Sequence, residues 1–428
     1  MVRRAREHGI PGGSPLLGTA ATNVVMVVCS SLAGVIVARE LGPSGRGDYA
    51  AVVVLFGSAL IIGELGLTAA VTYFVARDPG SGADVVATGR ALMVLTGSGW
   101  AVGGYFMAPL LVDGDDVIAA MRVMFVCCLP AFAGASFGFA LQAVDIRRWN
   151  MMRLGLPVPY LLCVVAIAVM GKSNILVFCV ALAATSTAQG LLSYWLGRSV
   201  GLAGGRVRRG LIRPLTTYGV SQLAASAPTS INSRADQLVL SQVAGSAVLG
   251  LYAVAVSVTA LALPLVTAIG NVVFPRLASG EGSGQDTRRL QQTALVGSVL
   301  VAGVTLVPLC VTAPWLVPLV FGESFSGATQ LVWVLAPGAL ALAVSAVAGD
   351  ILRGLGRPLA VAWAQLAGAV LVTVLLIALV PVWGGMGAAL ASSATFVLVA
   401  VLLCLAVRGG RDRTGSLDAP DPARGGSR

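Results

Sequence analysis

The chain has 428 residues, of which 57% are hydrophobic and only 11% charged, with a mean hydropathy of +0.89. A water-soluble domain of this length would have too little polar material to cover its surface, so the composition excludes a soluble enzyme and points to an integral membrane protein. The net charge of +10 does not point to nucleic acid, because the basic residues sit in connections between apolar runs. One histidine, His8, and seven cysteines without CxxC spacing leave almost no material for His catalysis, a metal site or a disulfide framework.

The N-terminal tail, 1–14, reads as disordered. The apolar run after it, 15–38, ends in charge rather than at a small-residue cleavage site, so no signal peptide is expected to be removed. Further runs at 49–76, 88–111, 117–143, 154–171 and 174–197 are each long enough to cross a hydrocarbon core of about 30 Å as a helix. An Arg-rich link, 198–213, leads to a second set at 214–243, 248–275, 290–312, 327–351, 358–381 and 386–407. The tail 408–428, rich in Gly and Ser and charged, reads as disordered. The expected fold is an all-α polytopic membrane protein of about twelve transmembrane helices, with six-helix halves at 15–197 and 214–407. Continuous runs of this length do not suit a β-barrel, and prolines inside several of them predict kinked, closely packed helices.

Orientation follows from the connections. With a cytoplasmic N-terminus, all but five of the 28 basic residues fall in inner segments; the exceptions are Arg39, Arg46 and Lys172 in outer connections and Arg122 and Arg234 within spans. Both termini are therefore expected inside. Halves that enter from the same side are parallel repeats, for which the substrate site is expected near the bilayer midplane, with alternating access by rocking.

One turn supports the repeat. Gly42, Gly47, Tyr49 and Ala50 fall without a gap on Gly245, Gly250, Tyr252 and Ala253, each set lying between two long apolar runs. The first set belongs to Ala38-Arg39-Glu40-Leu41-Gly42-Pro43-Ser44-Gly45-Arg46-Gly47-Asp48-Tyr49. With Gly63-Glu64-Leu65-Gly66-Leu67, Arg234-Ala235-Asp236-Gln237-Leu238, Gly250-Leu251-Tyr252-Ala253 and Phe274-Pro275-Arg276-Leu277, this turn resembles bacterial polysaccharide-biosynthesis flippases of the Wzx type. Their superfamily also holds multidrug and toxin extrusion transporters and peptidoglycan-precursor flippases. The resemblance covers Leu16 to Val407. It implies a V-shaped twelve-helix transporter of the bacterial plasma membrane that moves a polyprenyl-diphosphate-linked oligosaccharide from the inner to the outer leaflet. The implied partners are that glycan lipid, membrane lipids and polysaccharide assembly enzymes, with no cofactor beyond coupling to H+ or Na+. The two further C-terminal helices typical of peptidoglycan-precursor flippases are lacking here.

A charge near the midplane faces a cavity or a partner. Arg234 lies about ten residues, roughly 15 Å, from the outer end of its span and is the first candidate for a diphosphate, because a guanidinium offers parallel donors to phosphate oxygens. The alternative is an ion pair with a carboxylate such as Glu64. Asn232 with Asp236, and Arg234 with Gln237, form two adjacent polar stripes suited to a hydrated cavity wall. Asp236 and Glu64 are candidates for a coupling ion or for an ion pair, Glu64 with Arg234 or Arg122. Arg122 is shallow enough to snorkel outward or to form a cationic rim, and it is a second candidate, with Arg234, to hold the diphosphate. Asn23 and Gln222 either line the inner mouth or bridge helices. Asp350, Arg353 and Arg357 read as an ordinary ion-pair cluster at a span end, and the link arginines as topology determinants or contacts to lipid headgroups and an incoming pyrophosphate. Trp149, Trp195, Trp315, Trp383, Tyr49 and Tyr252 read as interfacial anchors.

Three functions compete on these residues. A flippase predicts a cationic cavity around Arg234, and a proton- or sodium-coupled multidrug extruder predicts an acidic one around Glu64 and Asp236. A sugar polymerase or ligase needs a long outer loop with catalytic groups, and the longest outer connection, 312–331, offers only Glu323.

Overall fold

Backbone groups in hydrocarbon find no water, so long runs of Ala, Val, Leu and Gly satisfy their N–H and C=O groups within helices. The computed structural model describes residues 14–278 and 284–409, and within them helices α1 to α13 account for nearly the whole chain, with no strand. The expected disorder of both tails falls almost wholly outside the described residues, as does His8.

The first half of the sequence forms α1 (Ser14–Gly63), α2 (Leu67–Arg77), α3 (Gly82–Leu111), α4 (Asp115–Val144), α5 (Ile146–Leu154), α6 (Pro157–Val169) and α7 (Ile175–Ser199). After the link come α8 (Arg209–Val243), α9 (Ser246–Thr259), α10 (Ala262–Ala278), α11 (Gly284–Phe321), α12 (Ala328–Gly354) and α13 (Pro358–Gly409). Two of these are pairs joined at a glycine: Gly42 (φ 65°) divides α1 and Gly384 (φ 53°) divides α13, each in a conformation that L side chains rarely adopt. By length and composition eight helical segments among the described residues can cross a membrane, or nine if the bent α9–α10 pair is one crossing. The twelve-crossing layout requires in addition that Gly42 and Gly384 be turns between crossings and that the polar α8 be a crossing.

Several expectations need correction. The predicted span 49–76 is not continuous: it stops at Gly63, turns through 64–66 and resumes as α2. The span 248–275 likewise breaks between α9 and α10, with a bend of 42°. Glycines on both sides of Glu64 weaken the first; the second breaks at Ala260-Leu261, ahead of Pro264. The outer connection 312–331 shrinks to a short turn, because the apolar stretch up to Phe321 continues α11. The fifth span starts earlier, since Asp145 caps α5 by accepting from the backbone N–H groups of Arg147 (3.0 Å) and Arg148 (3.1 Å). Trp195, Trp315 and Trp383 are exposed as anchors should be, but Tyr49 and Tyr252 are buried, and the Tyr49 hydroxyl pairs with that of Tyr160 at 2.7 Å.

Packing divides the chain into two compact units. One holds the residues up to Ala227 with Gln237–Val254 and Val317–Ser326; the other holds Pro228–Asp236, Ala255–Leu316 and the chain from Gly327 onward. The core of the first is built on Met121, Met124, Phe132, Phe178 and Leu141, that of the second on Val266, Val347, Ile351 and Leu403. In the first unit, α4 and α7 touch backbone to backbone at Gly134 and Gly190: a Cβ at Gly134 would meet the Gly190 Cα and lie 2.9 Å from its carbonyl oxygen. Gly134→Leu is therefore expected to cost about 1–3 kcal/mol by forcing the two helices apart. Gly99→Leu, where a Cβ meets nothing within 4 Å, should stay within about 0.5 kcal/mol. Thermal unfolding of the detergent-purified variants checks both; equal midpoints would refute the close contact.

Candidate functional site

The charges expected within spans lie on three elements: the span of Glu64, α4 with Arg122, and α8 with Arg234 and Asp236. Glu64 sits on the turn between α1 and α2, where the helix unwinds in mid-span. Leu65 (φ 48°) and Gly66 (φ 65°) are both left-handed, and a Cβ at Gly66 would strike the Gly219 carbonyl of α8, so this glycine is demanded by conformation and by contact. A non-glycine residue held at positive φ stores strain of about 1–3 kcal/mol, which surrounding structure must over-determine. Glu64 is half-buried; its carboxylate accepts from the Thr68 hydroxyl at 3.3 Å, and it makes no ion pair among the described residues.

Helix α8 is polar by the standard of its neighbours. Gln222, Thr229 and Ser233 are exposed at spacings of seven and four, on one stretch of helix expected to lie in the membrane. Lipid would make that stripe costly, and a hydrated path would not. Arg234 is half-buried and makes no hydrogen bond or ion pair among the described residues.

The stripe of Asn232 and Asp236 turns the other way. Both side chains are buried within the second unit, where Asn232 donates to the Gln365 carbonyl (2.9 Å) and side-chain oxygen (2.8 Å). Gly368 leaves room for that amide, since its Cβ would lie 2.9 Å from the Asn232 Nδ2. Asp236 accepts from Ser392 of α13 at 2.9 Å. Two buried oxygens nearby in sequence, the Asn232 Oδ1 and the hydroxyl of Thr395 one turn beyond Ser392, have no hydrogen-bond partner among the described residues. Carboxylate, amide and hydroxyl oxygens of this kind are the donor set of a hard cation or a proton site. Gln237 is half-buried.

The remaining candidates are placed as follows. Arg122 lies over the Tyr105 ring at 4.8 Å and donates to the Tyr105 carbonyl at 3.3 Å, an anchor to the end of α3 rather than a partner for Glu64. Asn23 and Gln222 are exposed. Arg353 pairs with Asp350 at 2.6 Å, and Arg357 donates to the Ala406 carbonyl at 2.9 Å, as an ordinary cluster at a helix end. In the link, Asp84 at the start of α3 accepts from the Arg206 backbone at 2.8 Å and pairs with the Arg208 guanidinium, so one link arginine is already engaged. Sequence reading missed Gln365, Ser392, Thr395, Thr229 and Ser233. The signal was present as hydroxyls and amides interrupting otherwise apolar runs.

Long apolar helices, two of the predicted spans broken and buried polar clusters among them, are the architecture of a polytopic membrane protein. Residues 19–281, more than half of the chain, match the family of polysaccharide biosynthesis proteins, and the chain belongs to that family. The amylovoran biosynthesis protein AmsL of Erwinia amylovora is 26% identical over 144 residues, 33% of this chain; the match spans only 36% of that relative's length. Among solved structures, an inward-facing multidrug resistance MATE family transporter of the MOP superfamily superimposes with a TM-score of 0.77 at 15% identity, covering 92% of this chain and 96% of the other. The lipid II flippase MurJ in an inward closed conformation gives 0.75 at 11% identity, covering 91% and 87%. An outward-facing MATE family transporter gives 0.63 at 15% identity, covering 95% and 98%. What the chain shares with these structures is the fold.

Proposed function

We propose that this protein is a flippase that moves a polyprenyl-diphosphate-linked oligosaccharide from the inner to the outer leaflet of a bacterial plasma membrane, for cell-surface polysaccharide biosynthesis. The observation that carries the reading is Arg234, a half-buried guanidinium in a polar transmembrane helix with no protein partner among the described residues. Such a charge is held at a cost that an anion offsets, and a diphosphate matches its paired donors. The exposed Gln222, Thr229 and Ser233 of α8 supply polar groups for sugar hydroxyls. Membership of a polysaccharide biosynthesis family supports a glycan cargo.

Transport is driven, on this reading, by a cation, H+ or Na+, held at Asp236 with Ser392, Thr395 and the Asn232 Oδ1. Asp236 is the coupling group, and Glu64, on the unwound turn, is a second acidic position that changes its surroundings when that turn moves. Both termini face the cytoplasm, and polysaccharide assembly enzymes are the partners that supply and consume the cargo.

The test is leaflet translocation of a fluorescent polyprenyl-diphosphate oligosaccharide in proteoliposomes under an imposed pH or sodium gradient. Protein-dependent, gradient-stimulated movement is expected. No movement of the lipid together with gradient-driven efflux of a cationic dye would assign the protein to multidrug extrusion instead.

A further inference from the structure

A guanidinium taken out of water needs acceptors for its N–H groups and a counter-charge. Arg46, just past the Gly42 turn of α1, has neither among the described residues. It makes no hydrogen bond or ion pair there, and its Nε is buried without a partner. The contact it does make is with the Tyr49 ring, whose centroid lies 5.5 Å from the guanidinium carbon. A ring face attracts the charge but leaves the N–H donors unmatched. The acidic residues nearest in sequence are already engaged: Glu40 by Ser173, and Asp48 by Ser246, where the backbone of Gly47 meets that of Gly250.

The same place holds a second donor without an acceptor. Tyr49 and Tyr160, the latter in the first turn of α6, are each only 8% exposed, and their hydroxyls share one hydrogen bond of 2.7 Å. Two phenols carry two protons, and one such bond uses one of them. The other O–H has no acceptor among the described residues, which is destabilising for a buried donor. Both rings belong to the core of the first unit, and Arg46 lies over one of them.

We propose that Arg46, Tyr49 and Tyr160 form a binding site for a small monovalent anion, a halide such as chloride. The site offers donors and one positive charge but no acceptor, and that selects among anions. A halide brings one negative charge and no proton. Hydrogen phosphate brings an O–H that would itself be left unpaired, and a second charge that Arg46 does not balance. Arg46 is half-buried, so the ion reaches it from the exposed side. With the ion in place, α1 beyond its turn is tied to α6 by charge-assisted hydrogen bonds. Such a site is independent of what the protein transports.

The test compares thermal unfolding of the detergent-purified protein in sodium chloride and in sodium gluconate at equal ionic strength, with sodium bromide as a second halide. Both halides should raise the midpoint by a few degrees and saturably, because a ligand that binds only the native state stabilises it by mass action. Tyr160→Phe removes a hydroxyl and keeps the charge, and should weaken the apparent halide affinity about tenfold. Arg46→Met should abolish the response. Chlorine-35 NMR reads the ion directly: the parent should broaden the chloride line, excess bromide should reverse the broadening, and Arg46→Met should show none. Arg234→Ala should respond as the parent does, which separates this site from the guanidinium assigned to the diphosphate. Equal midpoints in chloride and gluconate, with no broadening, overturn the proposal. So does a response that survives Arg46→Met or disappears in Arg234→Ala. Should Arg46→Met fail to fold, unchanged halide affinity in Tyr160→Phe overturns it, and the tenfold loss upholds it.

Discussion

Arg234→Ala is expected to lower translocation of the lipid diphosphate about a hundredfold, with the protein folded and correctly inserted. Removing one partner of a desolvated charge-assisted pair costs about 2–5 kcal/mol, and each 1.4 kcal/mol is about tenfold. The variant itself loses no internal contact, because Arg234 makes no hydrogen bond or ion pair among the described residues, so its thermal midpoint should match or exceed that of the parent. Arg234→Lys should recover part of the rate, since a point charge replaces the planar fork. A fall in rate accompanied by a fall in midpoint would instead make the arginine a structural residue.

The second large effect concerns Asp236. Replacement by asparagine keeps an acceptor for the Ser392 hydroxyl and deletes the charge. A tenfold gradient of one coupled cation stores about 1.4 kcal/mol, so the parent can build at most about a tenfold accumulation of cargo per coupled ion. Asp236→Asn should equilibrate the cargo between leaflets and accumulate none, and Thr395→Val should weaken the gradient response in the same direction. Accumulation that survives Asp236→Asn would remove this cluster from coupling and leave Glu64 as the acidic group to examine. In that case Glu64→Gln should abolish the gradient response, and Asp236 with Asn232 would be a buried tie between α8 and α13.

Both experiments depend on one helix. In α8 the buried pair Asn232 and Asp236 faces α13, while Arg234 between them turns elsewhere and stays half-buried. A helix that must satisfy a packed neighbour on one side and water on another is necessarily mixed in composition. That is why α8 falls short of the apolarity that marks the candidate crossings. The same logic applies to the breaks. A span that unwinds in hydrocarbon is tolerated only where the freed backbone groups are buried in protein or line a cavity, and at Glu64–Gly66 they bond locally and pack against Gly219.

The amino-acid sequence by itself determined the class of molecule. Apolar runs of membrane-spanning length, arginines gathered in alternate connections and a turn repeated at Gly42 and Gly245 are properties of local composition, and helix formation in lipid follows from composition alone. It also singled out which charged side chains interrupt the apolar runs, because that is a matter of residue order alone. Tertiary structure alone decided what each of them faces. Asn232 and Arg234 are two residues apart, yet one is locked against Gln365 and the other makes no hydrogen bond or ion pair among the described residues, since that choice depends on which helix packs alongside. Arg122 is held by Tyr105 rather than by Glu64 for the same reason, and the meeting of Gly47 with Gly250 joins positions about two hundred residues apart. Periodicity assigns a residue to a face of its own helix; only packing brings a second helix to that face.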